Sequence, residues 1–274
     1  MEVTVRIRRC TAVLIFGAGL WLTREEVSGQ QPQPVPVQSG APDWLRTYEF
    51  DQPFTFVRLK YEQPQGRWAT DYPDAEINLS QRLREWTSLE IGSDGVVLDV
   101  TDARLEKYPF AYLSGNGIWQ LSEAEVKSLR EYLNQGGFLM IDDSWGEAER
   151  RNLLGQLKRV LPNRTPQELP LGHPVFHTVF DMDQKPQVCG IFYALQGKDT
   201  GVTWERADAK DVSYQAINDD QGRLMVLICH NTDLADGWER LNDNAWYARE
   251  FSEKRALPMA MNIIFYVLTK QRGA

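Results

Sequence analysis

Short apolar runs alternate with longer polar segments of helical spacing through most of the chain, the order expected of an α/β protein with a parallel sheet. Phe54 to Tyr61 carries Phe54, Phe56 and Leu59 and predicts a first strand. A helix follows from Asp74 to Ser88, with Asp74 as N-cap after Pro73 and Ile77, Leu79, Leu83 and Trp86 on its buried side. Gly95 to Val100 and Phe110 to Leu113 predict the next two strands. Ser122 and Glu125 form a capping box for a helix whose apolar face is Val126, Leu129, Tyr132 and Leu133. Gly136-Gly137 then ends that helix in the manner of a left-handed cap. Phe138 to Ile141 is apolar throughout, as a strand covered on both faces should be.

Asp142 and Asp143 come next, and Ser144 with Glu147 reads as a second capping box. That helix buries Leu153, Leu154, Leu157, Val160 and Leu161 and closes at Pro162. Residues 163–186 read as loop, and Val188 to Leu195 as a strand. Ser213 to Ile217 and Leu224 to Ile228 flank a polar turn and predict an antiparallel edge hairpin. A long helix from Asp243 to Thr269, kinked at Pro258, ends the pattern. The fold class that follows is α/β: a three-layer sandwich, mostly parallel, with helices on both faces.

Composition narrows the partners. The 274 residues are 42% hydrophobic and 25% charged, with a formal net charge of −8, so a sizeable core is expected and nucleic acid is not. Arg6, Arg8 and Arg9 precede an apolar run from Cys10 to Leu22, the layout of a secretory signal with cleavage after Gly29. The alternative is an uncleaved anchor, and either predicts an extracytoplasmic protein. Residues 30–53 are proline-rich and read as a linker, leaving 54–270 as one domain. Cys189 and Cys229 read as buried hydrophobes, with pairing as a disulfide in an oxidising compartment left open as the alternative.

Side chains leaving several strand ends meet in the crevice at the carboxyl rim of such a sheet. Asn116, between Gly115 and Gly117, Asp142, Asp143 and His230 fit that description, with His173, Asp233 and Trp238 on neighbouring loops. These seven are the candidate ligand-binding residues. Asp142, Asp143, His173 and His230 are also the candidate acid–base set for hydrolysis, and Asp142, His173 and His230 the candidate ligands of a divalent metal. Each also has an ordinary structural role: carboxylates stabilise helix N-termini, and His173 before Pro174 can order its loop. No cofactor is predicted otherwise, since no Walker loop, dinucleotide fingerprint or Gly-x-Ser-x-Gly elbow occurs.

Five segments together resemble a bacterial family catalogued as domain of unknown function 4159. They are Phe54 to Tyr61, Tyr108 to Gly117, Gly136 to Asp143, Leu169 to Phe176 and Asp233 to Trp238. The resemblance implies a flavodoxin-like fold of the class I glutamine amidotransferase kind, in an exported or membrane-attached protein, and it implies no activity. In true amidotransferases the turn after the Gly-Gly strand carries a nucleophilic cysteine. Here it carries Asp142-Asp143-Ser144, so glutaminase chemistry lacks its thiol. The expectation is a non-catalytic ligand-binding or complex-assembly domain. Its partner would be a membrane-associated complex or a cell-envelope ligand, and its oligomeric state stays open. The alternative is a metal-assisted or acid–base hydrolase acting on an envelope or carbohydrate substrate.

Overall fold

The computed structural model describes residues 53–62, 67–70 and 72–270. The expectations for residues 1–52, signal and linker alike, lie outside the described residues. Seven strands form one sheet: β1 (Phe54–Lys60), β2 (Ile91–Asp99), β3 (Phe110–Leu113), β4 (Phe138–Ser144), β5 (Gln167–Glu168), β6 (Ser213–Asn218) and β7 (Leu224–His230). Their order is β2-β1-β3-β4-β7-β6-β5. The first five in that order run parallel, and β6 and β5 close the far edge antiparallel. This is the α/β layer architecture that the pattern predicts.

Alternation along the strands divides the core in two. Phe54, Phe56, Phe110, Tyr112, Phe138, Met140, Leu227 and Cys229 face one layer, which contains helices α1 (Asp74–Trp86) and α5 (Leu234–Glu239) and the C-terminal helical segment. Val57, Leu59, Ala111, Leu113, Leu139, Ile141, Val226 and Ile228 face the other, under α2 (Glu123–Asn134) and α3 (Gly146–Val160). The Phe138–Ile141 stretch of β4 is apolar throughout because both of its faces are covered. Among the described residues no helix is long and apolar enough to cross a membrane.

Local signals explain most element ends. The Ser122–Glu125 capping box is present in both directions. Gly136 takes a φ of 109° after α2, in the region that favours glycine. Several expectations are corrected. Helix α1 has no side-chain cap; Asp74 is its first residue, and Ile77 is exposed while Glu76 is buried against Arg58. The second strand begins at Ile91, four residues before the reading that started from Gly95. The run from Val188 to Leu195 is not a strand; it leads into a short helix, α4 (Ile191–Gly197). That helix buries Ala194 and Gly197 and leaves Phe192, Tyr193 and Leu195 in solvent. An apolar run of this length does not distinguish strand from helix by itself.

The C-terminal segment starts at Asn244, whose side chain caps α6 (Ala245–Tyr247). It widens to a π-helix over Ala248–Ala256 and returns to α geometry in α7 (Leu257–Phe265), with Pro258 in the first turn of α7. The helix is continuous through this junction: Leu257 N–H still donates to Ser252 O, and only Pro258 itself lacks an N–H. Cys189 and Cys229 are free thiols buried in the core.

Candidate functional site

The carboxyl ends of β1, β3, β4 and β7 reach one rim, and the acidic pair, the loop of Asn116 and His230 all lie on it. Pairing of β4 with β7 slips between Ile141 and Ser144, a bulge that places Asp143 in the left-handed region at φ 57°. Beyond the bulge the two strand ends are stitched together: Asn231 N–H donates to Ser144 O at 2.7 Å and Asp143 N–H to Thr232 O at 3.2 Å.

The residues after β4 show that the second capping box does not form. Ser144 belongs to the strand, and its buried Oγ lies 2.8 Å from His230 Nδ1. The N-cap of α3 is Trp145, with no side-chain cap bond. The first amides of the turn are met from elsewhere in the chain instead. Trp145 N–H donates to Glu149 Oε2 at 2.9 Å, Gly146 N–H to Asn231 Oδ1 at 2.9 Å, and Glu147 N–H to Asp208 Oδ2 at 3.0 Å. Local spacing suggested Ser144 as the cap; the actual acceptors Asn231 and Asp208 are distant in sequence, and nothing local announces them.

Asp142 is wholly buried and accepts the Ala235 N–H at 3.0 Å, at the N-terminus of α5. Burial, then the charge of Asp143, holds its carboxyl well above the usual range, against amide donors that include Ala235. Asp143 is half-buried and accepts from the Trp145 indole N–H at 3.1 Å. Burial raises its carboxyl too, with Arg67 opposing most strongly. Asp233 caps α5 by accepting from Asp236 N–H at 3.0 Å. Burial raises it well above the ordinary value, followed by the charges of Asp143, Asp236, Asp142 and Glu239. Burial and then Arg150 push the His230 imidazole down to about 4. It is therefore neutral near pH 7.

The structure does not join His173 to this group. Its Nδ1 accepts from Val175 N–H at 3.2 Å, and its ring lies 5.5 Å from that of Tyr266 near the C-terminus of the chain. Trp238 is 1% exposed, with its ring packed near Phe56 and Tyr112, so it lies in the core instead of on a binding surface. Around Asn116 the two glycines accommodate the chain itself. A Cβ on Gly117 would lie 2.1 Å from the Glu149 carboxyl carbon, and one on Gly115 2.8 Å from Arg67 O. Among the described residues no three His, Cys, Asp or Glu side chains converge so as to hold a metal ion, and Asp142, His173 and His230 do not fit one.

Sequence reasoning passed over Arg58 and Tyr112. Both are buried on the same sheet face, directly paired in register, and Arg58 bonds Glu76 and Trp68 O. An arginine in the inward phase of an apolar strand, with Phe54 and Phe56, was the available signal. Residues 55–268 match the family model described as Domain of unknown function (DUF4159), and the chain belongs to that family. A search of curated proteins finds no match.

Proposed function

We propose that this DUF4159 member is a non-catalytic ligand-binding or complex-assembly domain, exported or membrane-attached, with its binding crevice at the rim beside Asp143. One observation carries the reading. The amides of Trp145, Gly146 and Glu147, which an acyl-transfer site would leave open for an oxyanion, already donate to Glu149, Asn231 and Asp208. Removing a single such donor from an enzyme typically costs ~2.7–4 kcal/mol of transition-state stabilisation. The apolar run from Cys10 to Leu22 behind three arginines supports export. The strand order β2-β1-β3-β4-β7 supports a flavodoxin-like, amidotransferase-like version of the fold.

A hydrolase reading is favoured by one contact, Ser144 Oγ against the neutral His230 imidazole. Against it, Ser144 is 0% and His230 4% exposed. A fluorophosphonate probe incubated with the full chain decides between them. No covalent adduct is expected on the intact protein. An adduct that disappears in Ser144→Ala overturns the non-catalytic reading. Recovery of envelope partners by the full chain, reduced in Asp143→Ala, is the matching test of binding.

A further inference from the structure

At the end of the sheet away from the rim, the surface holds a groove of about 320 Å³. It lies between the last turns of α3, the segment from Arg164 to Pro166, and Ile217 of β6. Ile217 pairs with Val226, which pairs in turn with Leu139 near the start of β4. Pockets that accept small molecules run from about 300 to 1,000 Å³. Leu157 and Ile217, both buried, form the floor of this one, and the half-buried Leu154 and Pro166 form its sides. Gly155, Lys158 and Thr165 are exposed, so the groove opens to solvent.

Two of these residues point to an occupant. Gly155 stands in the interior of α3, where glycine weakens a helix relative to alanine. Its φ is not in the left-handed region, and a Cβ built on it would meet nothing within 4 Å. Neither the backbone nor close packing therefore calls for glycine, and the effect of the missing side chain is to keep the groove open. Lys158 is the second. It lines the groove, and among the described residues its ammonium makes no ion pair. A lysine in the last turn of a helix commonly serves the terminal carbonyls. Here Arg130 does so, donating to Val160 O at 2.7 Å and Arg159 O at 2.6 Å. Arg164 is engaged as well, with Asn218 O at 2.8 Å and the Asp220 carboxylate.

We propose that this groove binds an alkyl carboxylate, a fatty-acid-like anion whose chain lies along the apolar walls and whose head meets Lys158. The site is separate from the rim, and the proposal does not depend on the reading of Asp143. Burial of the chain supplies most of the attraction, while an ion pair at an exposed mouth adds little and sets the orientation. A peptide is the poorer occupant. Its backbone amides and carbonyls need partners, and the only polar side chains on the groove are those of Lys158, Arg164 and Thr165.

Isothermal titration of the full chain tests this with decanoate and decylammonium, each below its micelle-forming concentration. The chains are equal in length and the heads opposite in charge. Decanoate is expected to give saturable binding at one site and to bind more tightly than decylammonium, although the formal net charge of −8 favours the cation in any unspecific association. Gly155→Leu fills the groove and should weaken decanoate at least tenfold. Gly155→Ala should raise the melting temperature, which shows that α3 accepts a side chain there. Lys158→Gln should weaken decanoate roughly two- to fivefold, the range of an exposed pair. No saturable heat with decanoate overturns the proposal, as does tighter binding of decylammonium. Decanoate binding at full strength in Gly155→Leu overturns it too, because the anion then sits elsewhere. A capped leucine-rich acidic peptide that binds more tightly than decanoate refutes the ligand class in favour of a protein partner.

Discussion

Adding one methyl group at Gly117 tests whether the loop after β3 is closed by the chain's own Glu149. The φ of Gly117 is not in the left-handed region, so Gly117→Ala introduces no backbone strain and acts by contact alone. Its Cβ would meet the Glu149 carboxyl carbon at 2.1 Å and Oε2 at 2.3 Å. The loop has little room to retreat, because Gly115 already lies against the Arg67 backbone. Glu149 must therefore swing out, which breaks its bond from Trp145 N–H and its pair with Arg206. An amide-to-carboxylate bond contributes about 1.5–3 kcal/mol. The Arg206 side chain is 44% exposed, so the ion pair adds about 0–1 kcal/mol. A loss of about 2–3 kcal/mol is expected once rehydration of the freed carboxylate is allowed for, or roughly 5–10 °C in Tm at this domain size. Urea unfolding followed by tryptophan fluorescence measures it. In a Glu149→Ala background the methyl has space, and the same substitution should cost less than about 0.5 kcal/mol, a coupling of about 2 kcal/mol. Equal costs in the two backgrounds would refute the assignment of Glu149 as the occupant of that space.

Glu205, whose carboxyl burial pushes up to about 7, binds its proton more tightly folded than unfolded, so its contribution to stability falls as pH rises from about 4.5 to 7. Glu205→Gln should flatten the Tm–pH profile across that window; the depressed His230 acts in the opposite sense, but equally in both proteins, and an unchanged slope would rule Glu205 out. Ser144→Ala removes the hydroxyl beside His230 Nδ1 and should cost about 1 kcal/mol in denaturant unfolding. Because Cys189 and Cys229 are unpaired, dithiothreitol should leave the melting temperature of the full chain unchanged.

The sheet could be read from the sequence because its signals are local. A capping box, a Gly-Gly break and an apolar β4 lie within one short stretch, and each acts on its immediate neighbours. What sequence reading missed depends on contacts distant along the chain. Ser144 looked like a cap because Glu147 follows it, yet its partner is His230 across the β4–β7 pair. Glu76 and Ile77 exchange their expected places because Arg58, on β1, draws a carboxylate inward and leaves the isoleucine outside. Strand β5 is two residues long and exists only by pairing with β6, so no periodicity could have declared it. The rim residues Asp142, Asp143 and His230 were found by the rule that strand ends converge. His173 was grouped with them by residue type alone, and its imidazole serves its own turn.

Two side chains at the rim occupy the left-handed region, Asp143 at φ 57° and Asn231 at φ 58°, and their surroundings explain them unequally. Such a conformation costs a non-glycine residue about 1–2 kcal/mol. Asn231 offsets that cost visibly: its Oδ1 accepts from Gly146 N–H and its Nδ2 donates to Asp211 O, so both ends of the amide hold neighbouring segments together. Asp143 has one indole N–H, and its carboxyl is raised by burial, which sets the cost of confinement against that single bond. Replacing each by glycine therefore separates a residue that serves the fold from one that serves the crevice. Asn231→Gly should destabilise by about 1–2 kcal/mol, because two bonds are lost for the strain relieved. Asp143→Gly should be neutral or stabilising by up to about 1 kcal/mol while partner recovery falls, the trade expected where a strained group faces a ligand. Chemical denaturation of both variants beside the pull-down gives the answer. If Asp143→Gly destabilises the protein as much as Asn231→Gly does, the Asp143 carboxylate is a structural tie, and the crevice loses the residue on which its binding role was built.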